Sequence, residues 1–411
     1  MSSFRFVHAA DLHLGAPLSG IARADRDLAE RFASASRDAF SDLVSRTIEL
    51  GAALFVISGD VYDGEWRDAS IGLFFARELG RLDRAGVKVA MVKGNHDADS
   101  VVTRAITAPE SVAQFPSKKP ATVRLDELKV ALHGQSFADR AAPDNLARGY
   151  PAPVPGWFNI GLLHTSCGGY AAHETYAPCS VEELRLKGYD YWALGHVHMH
   201  EELSQDPWIV FPGCMQGRSV RECGPKGAVV VDVEDGRVVS AERLLVDRAR
   251  FAIAEVDLAD VADEASALRR IEEAAAPHVA EAEGRLLAVR VTLHGETPLH
   301  LPFAAARGRI AEEAQAALHR LGADVWLEKL KLATSSPAAA AERAPELKSL
   351  DLAGLMEGID DDPEFLARAA ETLQAMGARL PAASSDEPAL ADDLAGLLAE
   401  ARALALGRLG A

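Results

Sequence analysis

Seven residues that commonly bind divalent metals follow five short apolar runs in this sequence. Each run has the length and composition of a buried β-strand, and polar residues begin where the run ends. The seven are Asp11, His13, Asp60, Asn95, His164, His196 and His198. In layered α/β folds, ligands bind at the carboxyl ends of strands, so these residues are expected to share one metal site.

The donor atoms of this set indicate which metals and which reaction to expect. Carboxylate oxygen, imidazole nitrogen and one amide oxygen suit Mn²⁺, Fe²⁺ or Zn²⁺, and no thiolate is among the seven. Seven ligands are too many for one ion, so we expect two ions, with Asp60 as the bridging carboxylate. Two ions about 3.5–4 Å apart suit the hydrolysis of phosphoesters by an activated water.

His96 directly follows the expected ligand Asn95 and is the candidate catalytic residue. We expect it to point at the substrate and to protonate or stabilise the departing oxygen. Taken singly, a histidine or aspartate at a strand end is more often a cap or a satisfied loop residue. The hypothesis of a metal site therefore depends on the ordered set and not on any one member.

The spacing of the ligands predicts how some of them are oriented. Asp11 and His13 are two residues apart, as are His196 and His198. At a strand end, both side chains of such a pair are expected to point to the same side. A glycine directly precedes three of the ligands, where we expect the backbone to turn tightly.

In this order the motifs resemble the calcineurin-like metallophosphoesterase superfamily. They are Asp-x-His at 11–13, Gly-Asp at 59–60, Gly-Asn-His-Asp at 94–97, His164 and Gly-His-x-His at 195–198. The flanking residues have a narrower resemblance, to the nuclease subunits of SbcCD-type (SbcD/YhaO-type) DNA repair complexes, and within them to a YhaO-like bacterial branch. These are His-Ala-Ala-Asp-Leu-His-Leu-Gly at 8–15, Gly-Asp-Val-Tyr-Asp at 59–63 and Tyr-Asp-Tyr-Trp-Ala-Leu-Gly-His-Val-His at 189–198.

The resemblance implies a role for each ligand. Asp11, His13, Asp60 and His198 would hold one ion, while Asp60, Asn95, His164 and His196 would hold the other. His96 matches the catalytic histidine of the family. Some members have a second catalytic histidine three residues after the bridging aspartate, but this chain has Asp63 there. Mn²⁺ is the metal that we expect, with Fe²⁺ or Zn²⁺ as alternatives.

Length, composition and cysteine usage predict a cytoplasmic protein of two or three domains. The chain has 411 residues, 48% of them hydrophobic, and no apolar run long enough to span a membrane. The first strand begins almost at the first residue, which leaves no room for a signal peptide. The four cysteines show no C-x-x-C spacing, so we expect reduced thiols.

The charge balance weighs against tight DNA binding by this chain alone. Lys and Arg number 43 against 61 Asp and Glu, for a net charge of −18. Residues 341–411 contain 6 basic and 14 acidic residues and carry part of this excess. Because DNA binding requires basic surface that neutralises phosphates, we expect a partner to supply much of the contact with DNA.

The elements that must position the site divide into three predicted regions of an α/β (α+β) protein. Residues 1–245 are expected to form the phosphoesterase domain, a β-sandwich flanked by helices such as 27–50 and 69–85. Residues 251–332 show a β-α-β-α-β pattern that suits a small α+β domain. This domain resembles, in position and size, the capping domain with which related nucleases orient DNA. An accessory domain that stabilises a phosphatase is the alternative.

Residues 341–411 are predicted to be a helical region, with helices over 346–358, 363–377 and 389–409. The last of these has leucines at helical spacing along one face. Such a face usually packs on its own domain, but the resemblance implies docking on the coiled coil of an SbcC-like ATPase subunit. No P-loop motif occurs in the sequence, so that ATPase would be another chain. The resemblance also implies a homodimer, and the absence of a long apolar run predicts no membrane partner.

The function implied by the resemblance is that of a two-metal DNA phosphodiesterase in DNA repair, an exonuclease with endonuclease activity as a further expectation. One alternative is a phosphatase or phosphodiesterase that acts on phosphoproteins or small phosphoesters. Another is a scaffold for the ATPase partner. The region 251–332 favours DNA, the acidic charge favours the phosphatase, and the complete ligand set argues against a scaffold.

Overall fold

The computed structural model describes residues 3–16, 26–63, 69–99, 111–168, 176–337, 362–377 and 394–409. The chain divides into two compact units. The first comprises residues 1–252 and 285–288, and the second comprises 253–284 and 289–411. The predicted helix over 346–358 lies outside the described residues. The predicted boundaries at 245, 251, 332 and 341 stay predictions.

The first unit contains two six-stranded sheets. The first sheet has the order β12-β11-β1-β2-β3-β4 and the second has the order β5-β6-β7-β8-β10-β9. The strands of the first sheet are β1 (Phe4–Ala9), β2 (Leu54–Ser58), β3 (Lys88–Val92), β4 (Val112–Gln114), β11 (Gly227–Glu234) and β12 (Arg237–Leu245). Those of the second are β5 (Ala121–Leu125), β6 (Val130–Gly134), β7 (Phe158–His164), β8 (Tyr191–Gly195), β9 (Glu201–Gln205) and β10 (Trp208–Phe211).

The five apolar runs that precede ligands in the sequence are β1, β2, β3, β7 and β8. In the first sheet β1, β2 and β3 are parallel neighbours, with Phe6 opposite Leu54 and Ser58 opposite Val92. In the second sheet β7 is parallel to β8, and His164 lies opposite Gly195. Parallel neighbours end at the same edge of a sheet, so each sheet brings its site residues to one edge.

Strand β2 shows why these runs are continuously apolar. Leu54 and Val56 belong to the core between the two sheets. Phe55 and Ile57 belong to the core on the other face of the first sheet, which includes residues of α1 (Arg26–Glu49) and α2 (Ala69–Arg84). A strand buried on both faces cannot alternate with polar residues. Each such side chain stabilises the fold by about 1.5–3 kcal/mol. The predicted sandwich flanked by helices is confirmed.

Short helices and turns connect the later strands of the first unit. They are α3 (Asn95–Asp99), α4 (Val181–Leu186) and two 3₁₀ turns at Leu146–Gly149 and Val220–Glu222. On the outer face of the second sheet the buried ring of Trp192 covers Gly161. A Cβ at Gly161 would overlap that ring, so close packing at this point requires glycine.

The second unit contains helices and most of a three-stranded sheet, of which residues 249–252 and 286–288 belong to the first unit. The sheet has the order β13-β14-β15. The strands are β13 (Ala249–Asp257), β14 (Leu286–Glu296) and β15 (Val325–Ser335). The helices are α5 (Glu264–Ala282), α6 (His300–Ala305), α7 (Arg307–Leu321), α8 (Pro363–Gly377) and α9 (Leu394–Leu409). The β-α-β-α-β order is the predicted one, although β15 ends at Ser335 and not at 332. No helix in the described ranges has the length and hydropathy needed to cross a membrane.

The two described C-terminal helices differ in their contacts, although neither has a fully buried side chain among its described residues. Helix α9 packs against α6, and Glu400 of α9 forms an ion pair of 2.7 Å with Arg307 at the start of α7. These contacts follow the alternative in which the leucine-rich helix packs on its own domain. No described side chain of α8 is fully buried. Phe365 and Met376 of α8 are exposed.

Candidate metal centre

The loops that follow the five strands bring the predicted ligands together. Nε2 of His13 lies 3.2 Å from Nε2 of His198. Nε2 of His164 lies 2.9 Å from Oδ1 of Asn95 and 3.4 Å from Oδ2 of Asp60. Because these donor atoms lie so close together, they face a common centre in the first unit.

Backbone hydrogen bonds and unusual torsion angles fix the first two loops. The N–H of Asp11 donates to the carbonyl of Gly59 at 3.0 Å, and that of His13 donates to Asp60 at 3.1 Å. Asp11, His13 and Asp60 have φ of 50°, 41° and 52°, and His196 has φ of 104°. Such left-handed conformations cost about 1–3 kcal/mol each for non-glycine residues and are typical of functional sites.

The prediction that each ligand pair is oriented by strand geometry is therefore wrong. Strand β1 ends at Ala9 and β8 ends at Gly195, before either pair. The left-handed residues turn the chain, and these turns bring Asp11, His13 and His198 together. The alternation rule fails because it applies only to extended backbone.

All three glycines that precede ligands are required by space, and Gly59 is also required by a turn. Gly59 has φ of 98° and does form the predicted turn. A Cβ at Gly94 would overlap Oδ1 of Asp60, and one at Gly195 would overlap the carbonyl of Ser58. At these two positions the absence of a side chain lets neighbouring loops approach closely enough to share a site.

One half of the centre, here the His198 half, consists of Asp11, His13 and His198. Their ligand atoms all lie within 4.8 Å of one another. Nε2 of His198 is 3.8 Å from Oδ1 of Asp11. Nδ1 of His198 is 2.6 Å from the carboxylate of Glu222, so it donates there and leaves Nε2 for a metal.

The other half, here the His164 half, consists of Asp60, Asn95 and His164. Nδ1 of His164 donates to the carbonyl of Ser58 at 2.9 Å, which again leaves Nε2 for a metal. The ring of His196 lies beside it, with 5.3 Å between the two ring centroids. The predicted fourth ligand of this half is thus adjacent to His164.

Asp60 reaches both halves through one oxygen atom. Its Oδ2 lies 4.0 Å from Nε2 of His13 and 3.4 Å from Nε2 of His164. Its Oδ1 accepts the backbone N–H of His96 at 3.0 Å, which fixes the carboxylate. Asp60 thus has the geometry that a bridging ligand requires.

The site has the charge and the spacing to hold two divalent cations. Burial would lower the pKa of His164, but the carboxylates of Asp60 and Asp11 raise it to about 9, which shows that the centre stabilises positive charge. Donor atoms around an ion bound at about 2.0–2.2 Å are about 3–4.4 Å apart. The distances between facing donor atoms, from 2.9 to 4.0 Å, match this range.

His96 is paired with Asp63, the position where the family pattern differs. Nδ1 of His96 lies 3.3 Å from Oδ1 of Asp63. Burial would lower the pKa of His96, but the hydrogen bond and charge of Asp63 raise it. Burial would raise the pKa of Asp63, but hydrogen bonds from His13 and His96 hold it well below its usual range. Asp63 therefore favours a protonated His96 and orients its ring.

Two buried acids at the site were not identified from the sequence. Glu222 holds His198 from a 3₁₀ turn 24 residues later, and no local pattern marks it. Asp97 accepts the backbone N–H groups of Val61, Tyr62 and Gly94 and so ties two ligand loops together. Its place in the Gly-Asn-His-Asp motif was the available signal.

Two family models match this chain. Residues 4–200 match the model described as calcineurin-like phosphoesterase. Residues 251–335 match the model described as metallophosphoesterase YhaO, middle domain.

Three named proteins are similar in sequence to this chain. The chain is 27% identical over 379 residues to the uncharacterized metallophosphoesterase YhaO of Bacillus subtilis strain 168, which covers 89% of this chain and 92% of that protein. It is 25% identical to the DNA double-strand break repair protein Mre11 of Methanopyrus kandleri, over 62% of this chain and 57% of that protein. It is 22% identical to Mre11 of Sulfurisphaera tokodaii, over 66% and 70%.

Proposed function

Because residues 4–200 form a calcineurin-like phosphoesterase domain, as the motifs predicted, we propose that this chain is a metal-dependent phosphodiesterase that cleaves DNA. The observation that carries the proposal is the shared oxygen of Asp60, which lies within 4.0 Å of one histidine from each half of the centre. Two metal halves that meet at one carboxylate suit in-line cleavage of a phosphoester.

In the proposed reaction the residues of the chain have distinct tasks. Two bound cations would polarise the phosphoryl oxygen and lower the pKa of the attacking water. Asp60 fixes the distance between the halves, and the other six ligands complete them. His96, held and kept protonated by Asp63, donates a proton to the departing oxygen. Mn²⁺ is the proposed metal.

DNA is the proposed substrate because of the named relatives. Two of the three are named as DNA double-strand break repair proteins, and each matches more than 60% of this chain. A domain of the YhaO type follows the phosphoesterase domain, and we propose that it orients DNA as a cap. The net charge of −18 favours the alternative of a small phosphoester substrate, so the two must be separated by experiment.

Cleavage of end-labelled linear DNA, single- and double-stranded, in Mn²⁺ tests the proposal. Parallel reactions contain EDTA, the Asp60→Asn variant, and p-nitrophenyl phosphate as a monoester. Shortening of DNA that requires both metal and Asp60 supports the nuclease. Turnover of the monoester with intact DNA would instead indicate a phosphatase. Failure on every substrate, with metal bound, would favour the scaffold or a partner-dependent enzyme.

Docking of a coiled-coil ATPase subunit stays a prediction, as do a homodimer and a cytoplasmic location. Since α9 already packs on α6, we propose that α8 provides the docking surface, where Phe365 and Met376 are exposed. Truncation before α9 would also remove part of the second unit, so point substitutions are the better test. The variant Phe365→Ser/Met376→Ser should lose association with the ATPase in size-exclusion chromatography, while Leu73→Ser, also exposed, should keep it.

A further inference from the structure

The charged side chains around the metal centre divide into a buried set and an accessible set. The side chains of His13 and Asp60 are each 2% exposed, and those of His164 and Asp11 are not exposed at all. The side chains of His96, Asp63 and His198 are 23–26% exposed. The accessible set therefore marks a side from which a substrate phosphate can approach the centre.

Arg218 belongs to this accessible side, with 17% of its side chain exposed. Its Nη1 lies 3.6 Å from Oδ1 of Asp63, the same oxygen that contacts His96. Its Nη2 donates to Glu222 at 2.8 Å, and Glu222 holds His198. One guanidinium thus contacts the carboxylates of both acid–histidine pairs.

The position of Arg218 is fixed before any substrate binds. Its own backbone N–H donates to Glu222 at 2.7 Å, in addition to the side-chain contacts. The contacts with Glu222 and Asp63 account for one N–H each on Nε, Nη1 and Nη2. A guanidinium has five N–H groups, so Nη1 has a second one, while Nη2 also lies 3.2 Å from Nδ1 of His198. A planar group held in this way loses little entropy when it binds an anion.

We propose that Arg218 binds a non-bridging oxygen of the substrate phosphate on the side of His96. The inference rests on the proposed phosphodiesterase function of this site. Asp63 and Glu222 add two negative charges close to where an anionic phosphate must lie, and Arg218 offsets them there. Because charge builds up on the phosphate oxygens during the reaction, the same contact strengthens in the transition state.

Binding of inorganic phosphate to the Mn²⁺-loaded full chain, measured by calorimetry, tests the proposal without turnover. Arg218→Gln should weaken phosphate binding about 10-fold or more, the usual loss for a hydrogen bond to a charged group. Arg218→Lys keeps the positive charge but lacks the planar set of N–H donors of a guanidinium, so it should give a smaller loss of phosphate affinity. Arg221→Gln is the matched control, since it changes the net charge equally at an exposed position in the 3₁₀ turn that follows Arg218, and should bind as the parent does.

A purely structural role for Arg218 would give a different result. Removing it leaves the buried carboxylate of Glu222 without its cation, so Mn²⁺ stoichiometry and melting temperature are measured for every variant. The double variant Arg218→Gln/Glu222→Gln removes both charges and keeps the test available if the single variant does not fold. Phosphate affinity equal to that of the parent, or a loss that only follows loss of Mn²⁺, would overturn the proposal.

The design also separates this inference from the function on which it rests. If the parent chain cleaves no phosphodiester but Arg218→Gln weakens phosphate binding, the anion site is supported and the nuclease function is contradicted. If the parent cleaves DNA but the variant binds phosphate as the parent does, the nuclease function is supported and the role of Arg218 is contradicted.

Discussion

The two halves of the metal centre hold their key histidines in different ways. In the His164 half, Nδ1 of His164 donates to a neutral backbone carbonyl, and the side chain is completely buried. In the His198 half, Nδ1 of His198 contacts the carboxylate of Glu222 at 2.6 Å, and a quarter of the side chain is exposed. A carboxylate partner makes an imidazole a stronger metal ligand than a carbonyl partner does.

This difference separates the structural task of the site from its chemical one. The His164 half is built from the ends of β2, β3 and β7, so the packing of the sandwich itself fixes it. The His198 half depends on a charged group from a 3₁₀ turn, and it borders the side that a substrate can reach. We therefore expect substitutions in the two halves to have separable effects, except at Asp60, which they share, and at Asp11, whose carboxylate also lies close to His164.

The largest effect is expected from Asp60→Asn, which weakens the bridge between the halves. Phosphodiesterase activity on bis(p-nitrophenyl) phosphate should fall by about 10³-fold, as for loss of a group that stabilises charge in the transition state. Bound Mn²⁺ should fall below two ions per chain in equilibrium dialysis. Asp235→Asn, an exposed aspartate in the β11–β12 turn, is the matched control. A variant that keeps both ions would show that the halves do not share Asp60.

The next largest effect is expected at His96, on the accessible side of the metal centre. His96→Asn should lower kcat by about 10²-fold or more, because a positioned proton donor is lost, with no change in bound metal. Substrates with poor leaving groups need that proton most, so phenyl esters should lose more than p-nitrophenyl esters. Asp63→Asn should show the same pattern with a smaller loss. An equal loss for all leaving groups would contradict the role of His96 as a proton donor.

The positions of these residues were predictable from the sequence to different degrees. The strands β2 and β7 and the ligands Asp60 and His164 could be predicted, because a run buried on both faces has a distinctive composition and ends in unusual polar residues. The left-handed backbone at Asp11 could not, since no residue type specifies it. The contact of Glu222 with His198 spans 24 residues and leaves no periodic signal.

In the second unit, too, a helix could be predicted from the sequence, but the surface on which a helix packs could not. Helix α7 could be predicted over its observed range, 307–321, from the spacing of its apolar residues. The leucines of α9 predicted a buried face but not the surface that covers it, because an amphipathic pattern is satisfied by any apolar partner. Only the structure shows that α9 packs on α6.

Glu222→Gln should distinguish the halves by metal affinity. The change removes the negative charge behind His198, and loss of such a partner weakens metal binding by about 10–100-fold. In a Mn²⁺ titration one of two binding events should weaken, while the event at the His164 half is unchanged. Glu234→Gln, at an exposed strand end, is the control. Equal weakening of both events would remove the distinction between the halves.

The smallest expected effect is a pH dependence of the free energy of unfolding. It comes from His8, which lies behind the His164 half. His8 is fully buried and contacts the hydroxyl of Ser58, whose carbonyl holds His164. Burial lowers the pKa of His8 to about 3. The unfolded chain therefore binds a proton more readily below pH 6.5, so the free energy of unfolding falls as pH decreases, by about 2 kcal/mol at pH 5 from this residue.

Urea unfolding of the metal-free chain at pH 7 and pH 5 measures this effect. His8→Gln removes the titrating group, so the variant should lose less stability between the two pH values than the parent does. An identical loss in parent and variant would show that His8 is not held neutral beneath the His164 half.

The central claim is that two metal ions share Asp60, and electron paramagnetic resonance of the chain titrated with Mn²⁺ tests it most directly. Two ions bridged by one carboxylate are magnetically coupled, so a coupled signal should grow in between one and two equivalents of Mn²⁺. Asp60→Asn should abolish it. Saturation at one equivalent, or two uncoupled ions in the parent chain, would contradict the account.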